Sequence, residues 1–329
     1  MPKKGQFSFT EAAGKAAWKA KQLKDSVADK ANSTKDSIVH NLDQNGDGEL
    51  GIDDIIVMAI KMPGIHITRA SFLQKELFKN HPQHIIDKAI ATTPAKAGIS
   101  AEEIDRIANE VIRFERACVS GISVALGMPG GWAMAATIPA DIAQYYGYTL
   151  RAVQKLLYLY GFPEIDADEE GLQLDSETIN EIILCLGVMN GVAGANNVIK
   201  AMAKALAVGI EKQLMKKALT KGALFPLIKN IMKWFGVRLT KSLFTGAIKK
   251  AIPVVGGVVG GGITFASFKP CCVRLQKTLQ DTMLSNPDHV SSAEEDAIVE
   301  SIFTGTVIDV DYQDIPENDM DNVFDDEDE

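Results

Sequence analysis

The chain has 329 residues, 46% of them hydrophobic, which is ample for one large or two moderate cores and excludes wholesale disorder. Its net charge of −9 is segregated, because residues 309–329 hold eleven Asp and Glu with no Lys or Arg and the remainder carries +2. Cys118, Cys185, Cys271 and Cys272 lack the spacing of a zinc site or a disulfide framework, and the N-terminal MPKKGQFSF lacks the apolar core of a secretion signal. Together these predict a cytoplasmic protein in a reducing compartment.

Residues 10–42 are rich in Ala, Lys and Asp with few large apolar side chains, as in an exposed or loosely docked helix. The next twelve residues, Asp43 to Asp54 (DQNGDGELGIDD), follow a calcium-binding EF-hand loop. Asp43, Asn45 and Asp47 supply oxygens at positions one, three and five, and Gly48 permits the sharp turn at six. Glu49 offers its carbonyl at seven, Leu50 is the apolar anchor at eight, and Asp54 closes the loop at twelve. Gly51 at position nine leaves one coordination place to water, and Asp at twelve is a methylene shorter than the usual Glu. Both features predict weaker Ca²⁺ binding with Mg²⁺ as a competitor.

Asp at twelve also resembles dockerin-type calcium loops, which come as two repeats. Only one good copy exists here: DADEEGLQLDSE offers Asp166, Asp168, Glu170, Gly171 and Glu177 at the right spacing, but Gln173 stands where an apolar anchor belongs. That stretch reads better as an acidic connection followed by a helix capped by Asp175 or Ser176. Asn, Asp and Gly also dominate ordinary turns, yet the number of positions filled in register favours a metal at residues 43–54. Ile38, Val39 and Leu42 lead into the loop, and Ile55, Ile56, Ala59 and Ile60 lead out before Pro63, giving a helix–loop–helix unit.

Apolar periodicity then predicts helices over Ala70–Phe78, His84–Ala91 and Ala101–Leu126, with Ser100 and Glu103 as a capping box for the third. A further helix runs from Pro139 to Tyr160, stopped by Gly161-Phe162-Pro163. Thr178–Ile199, Met202–Leu219, Leu224–Thr240 and Ser242–Ile252 continue the helical character, and no β alternation is evident before Val307–Val310.

Within this region Gly130-Gly131, Ile138-Pro139-Ala140-Asp141, Tyr145-Tyr146, Gln154-Lys155-Leu156 and Tyr158-Leu159-Tyr160-Gly161, with AIPVVGGVVGGGITFASF further on, resemble the bacterial EcsC family over residues 66–280. The resemblance implies an α-helical bacterial protein placed near membranes or transport machinery, of no settled activity. Asp141, a carboxylate among apolar residues, is a candidate acid or base, although an acid in a helix first turn serves the helix dipole equally well. His81 and His84 have no third ligand at recognisable spacing, so no zinc site is expected. No GxSxG, Walker or GxGxxG motif accompanies them.

Between Lys200 and Lys277 fifteen Lys and Arg face a single acid, Glu211, a block suited to an anionic membrane or to the chain's own tail. On a helical wheel Ile199, Met202, Leu206, Ile210 and Leu214 share one arc and Lys200, Lys204, Lys212 and Lys216 the other. That pattern fits either a bilayer-surface helix or a core helix with solvated lysines. Ala251–Phe268 is uncharged but carries five glycines, and it reads at least as well as a buried GxxxG-type helix as a membrane span. Asp309–Glu329 is too like-charged to fold alone and could lie over the basic block in competition with anionic lipid. For nucleic acid there is charge but no recognition motif.

The sequence thus predicts an all-α multi-helix bundle with an N-terminal helix–loop–helix EF-hand unit and a disordered acidic C-terminal tail. Residues 1–65 form the first unit, 66–284 the EcsC-like helical domain, and 285–329 a short helix and the tail. The expected function is calcium-dependent, non-catalytic binding at a membrane surface or to a protein partner, in the cytoplasm with peripheral membrane association. Asp43, Asn45, Asp47, Glu49 and Asp54 would hold the ion. A hydrolase-type enzyme using Asp141 and a purely structural metal site are the alternatives.

Overall fold

The computed structural model describes residues 51–119, 140–165, 174–210, 212–235, 259–286 and 288–306, with side chains left aside at 140–144, 212, 213, 216 and 259–267. Every regular element among them is an α-helix, so the protein is all-α. We number them α1 (Ile52–Ile60), α2 (Arg69–Leu77), α3 (Gln83–Ala91), α4 (Ala101–Val119), α5 (Ala140–Leu159), α6 (Ser176–Met189), α7 (Ala195–Ala207), α8 (Lys212–Thr220), α9 (225–235), α10 (Val259–Gln280) and α11 (Ala293–Thr304).

Helix α5 is the hub. It packs against α1, α2, α4, α6 and α10, and from Leu150 to Tyr160 only Arg151 escapes full burial. A helix apolar on one stripe needs one neighbour, whereas one buried all round must be enclosed. The partners present stripes: α4 buries Ile104, Ile107, Ala108, Val111, Ile112 and Cys118, and α1 buries Ile52, Ile55, Ile56, Ala59 and Ile60. One contiguous core runs from Ile52 to Ile302.

The predicted helices at α2, α3, α4 and α5 are found within a residue or two of their expected starts. Two longer expectations are corrected. The run Thr178–Ile199 divides into α6 and α7, and Met202–Leu219 into the end of α7 and α8. Gly191 (φ 76°) and Gly209 (φ 81°) adopt the left-handed conformation, and each break closes as a Schellman motif. Val192 N–H donates to Gly187 O at 2.9 Å and Gly191 N–H to Val188 O at 3.0 Å, with the equivalent pair at Ile210 and Gly209. The same closure ends α5 at Gly161, as the Gly161-Phe162-Pro163 stop predicts.

Caps follow the sequence in part. Asp175 is the N-cap of α6, its carboxylate accepting from Thr178 N–H at 2.8 Å. Ser100 Oγ accepts from Glu103 N–H at 3.3 Å, but Glu103 turns its own carboxylate to Asn80 and His81 instead of completing the box. Helix C-termini are closed by distant side chains. The buried Arg69 guanidinium donates to the carbonyls of Ala89, Ile90 and Thr92 at the end of α3, and Arg274 donates to Met189 O at the end of α6. Cations placed there satisfy orphan carbonyls and complement the helix dipole.

Candidate functional site

Of the loop residues expected to hold calcium, Asp43, Asn45, Asp47 and Glu49 lie outside the described residues, and Asp54 lies within them. Gly51 is the N-cap of α1 and Ile52 its first residue, so Asp54 stands in the first helical turn. Its carboxylate is 1% exposed and accepts from Gly51 N–H at 2.8 Å. A Cβ at Gly51 would come within 2.0 Å of Asp53 Oδ1, so the absence of a side chain at loop position nine matches the space there. The helix carrying Asp54 is fixed by its apolar residues against α5 and α6. This end of the stretch is therefore built on the core, with the Asp54 carboxylate engaged at the N-terminus of α1.

Among the described residues no group of three or more His, Cys, Asp or Glu is arranged to hold a metal. His81 Nε2 lies 3.0 Å from Glu103 Oε2, and His84 is exposed on α3. Asp141 stands at the start of the described part of α5, and its side chain is outside the described set. The four cysteines are buried thiols in no disulfide among the described residues, with burial pushing the Cys185 and Cys272 thiols well above the usual range. Buried thiols of that kind are inert.

Sequence reasoning missed a buried charge cluster at the crossing of α4 and α5. Glu115, fully buried, receives Arg151 Nε at 3.2 and 3.3 Å on its two oxygens, and Lys155 Nζ on one of them. Arg151 also donates to Gly64 O in the turn after α1, and its guanidinium lies 5.9 Å from the Tyr148 ring. Lys155 lies 5.3 Å from the Phe114 ring. Burial lowers the proton affinity of Lys155 and outweighs the opposing pull of Glu115, while burial raises that of Tyr148. Both oxygens of Glu115 are engaged by cations, so the cluster braces α4, α5 and the exit of α1. A readable signal existed: Glu115 occupies the same helical stripe as Ile104, Ile107, Val111 and Cys118.

Other resembling-motif residues are structural too. Gln154 donates to Ile65 O and Leu150 O and accepts from Ile67 N–H, all at 3.0 Å. Tyr160 donates to Asp105 Oδ1 at 2.7 Å, and Tyr158 accepts from Ile165 N–H at 3.3 Å. Burial raises the proton affinity of both phenols.

The amphipathic segment around α7 uses its apolar arc internally. Ile199 and Met202 are buried and Ile210 nearly so, while Lys200 and Lys204 pair with Asp281 and Asp296. Lys217 on α8, Lys221 in the turn after it, and Lys229 and Lys233 on α9 remain exposed. No helix among the described residues is long and apolar enough to cross a membrane; residues 251–258 of the Ala251–Phe268 stretch lie outside them.

No family model, no curated protein and no solved structure matches this chain.

Proposed function

We propose that the chain is a calcium-binding EF-hand protein of EcsC-like type that acts without catalysis, as a cytoplasmic module docking on an anionic membrane surface or a protein partner. One observation carries this reading. The twelve-residue loop fills its ligand positions in register, and α1 begins at Ile52, so that the position-twelve carboxylate of Asp54 sits in the first turn of a core-anchored helix. Asp43, Asn45, Asp47, the Glu49 carbonyl and Asp54 would hold the ion, which supplies a fixed positive charge that ties the loop's acidic groups together. Asp54 keeps its carboxylate oriented through the Gly51 N–H.

The test is calorimetric titration of the full chain with Ca²⁺ and with Mg²⁺, alongside Asp43→Ala. Saturable Ca²⁺ binding that the variant loses is the expected result. An intact chain that binds neither ion would reduce the loop to a turn and remove the proposal.

A further inference from the structure

His289, in the connection between α10 and α11, is caged by two carboxylates from different elements. Its Nδ1 lies 3.0 Å from Asp281 Oδ1, just past the end of α10, and its Nε2 lies 2.8 Å from Glu295 Oε2 in the first turn of α11. The imidazole is 3% exposed and Glu295 5%. A carboxylate only accepts hydrogen bonds, and a neutral imidazole has a single N–H, so both bonds form together only when the ring carries two protons.

We propose that His289 is a protonation latch that clasps α11 to the bundle as an imidazolium and loosens it when the proton leaves. The surrounding charges support this. Lys200 and Lys204 on α7 face Asp281 and Asp296, so three cations including His289 balance three carboxylates, Asp281, Glu295 and Asp296. Asp288 and Glu294 are exposed neighbours in the chain and add negative charge. Loss of the proton leaves an uncompensated acid and turns an imidazole lone pair toward a carboxylate. The two hydrogen bonds raise the proton affinity of His289 against the lowering effect of burial, and Asp281 is held below its usual range by Lys200 and His289. A group whose folded-state pKa lies above its unfolded value of about 6.5 stabilises fully below that value and loses its contribution as pH rises through the folded pKa. The latch therefore opens as pH rises past the ordinary imidazole range. Its load is α11, which packs on α7 and α8 through Ile298, Val299 and Ile302 and leads directly to the acidic tail.

The chain has five histidines, so the experiment must isolate this one. Hydrogen exchange of residues 293–304 in the full-length protein, corrected for intrinsic rate, should show protection falling about tenfold from pH 6 to pH 9, the scale of one charge-assisted hydrogen bond. His289→Gln, which has no titratable ring, should give a flat profile. Protection in the intact chain that does not change with pH, or a fall equal in the variant, would overturn the latch. Nitrogen NMR of the His289 ring followed against pH needs no variant: both nitrogens still protonated at about pH 6.5, the ordinary imidazole value, is the expected state, and a ring already neutral there would also overturn it.

Discussion

Glu115 shows how much a single side chain can decide. It holds Arg151 and Lys155 in a site where it is itself 0% exposed. Glu115→Gln keeps the shape but leaves the buried Lys155 and the half-buried Arg151 short of their anion, and breaking a buried ion cluster in this way costs up to ~3–5 kcal/mol. Urea denaturation of the variant should show that loss. Replacing all three residues by apolar ones of similar volume should cost less than Glu115→Gln alone, because the desolvation penalty leaves together with the attraction. Lys155 adds a pH signature. Its folded-state pKa is lowered from 10.5, so the unfolded chain binds more protons in the window between the two values, and stability rises with pH across it. Comparing the alkaline stability profile of Lys155→Met with that of the parent should show this rise removed.

At the scale of elements, contacts between helices depend on a few close approaches. A Cβ at Gly187 on α6 would meet Ile231 Cδ1 of α9 at 2.7 Å. Gly187→Leu should therefore destabilise the fold by ~1–3 kcal/mol through overpacking, and Ile231→Ala in the same chain should recover part of it, measured as a coupling energy in a double-mutant cycle. Helix starts were legible because N-cap chemistry and apolar periodicity are local: Asp175 before α6 and the stripe of α4 are examples. The breaks at Gly191 and Gly209 were not, because each glycine sits inside a longer apolar run whose periodicity continues in register on the far side. A glycine tolerated mid-helix and one that ends a helix look alike along the chain.

For the whole molecule, the proposed docking on anionic lipid rests on the basic and acidic regions of the chain. Lys217, Lys221, Lys229 and Lys233 are exposed, whereas Lys200 and Lys204 are already paired within the fold. Deleting residues 309–329 removes eleven acids and should strengthen sedimentation with anionic liposomes at low salt, the gain disappearing at high salt as charges are screened. Unchanged binding would eliminate competition between the tail and lipid. If the loop at residues 43–54 binds Ca²⁺, the coupling of α1 to the core makes ion binding a stability effect for the entire bundle. Saturating Ca²⁺ at about 100 times Kd should then add ~2.7 kcal/mol, visible as a raised Tm that Asp43→Ala lacks.

The sequence by itself determined the all-α class, the positions of most helix starts and the separation of basic and acidic segments, since each is a pattern along a single stretch of chain. Only the tertiary structure decided which charges are spent inside. The partners of Glu115 lie 36 and 40 residues away, those of Lys200 and Lys204 lie 81 and 92 away, and the His289 cage closes between the end of α10 and the first turn of α11. Such pairings are set by where helices cross, and a crossing is fixed by the packing of whole faces rather than by the spacing of residues within one.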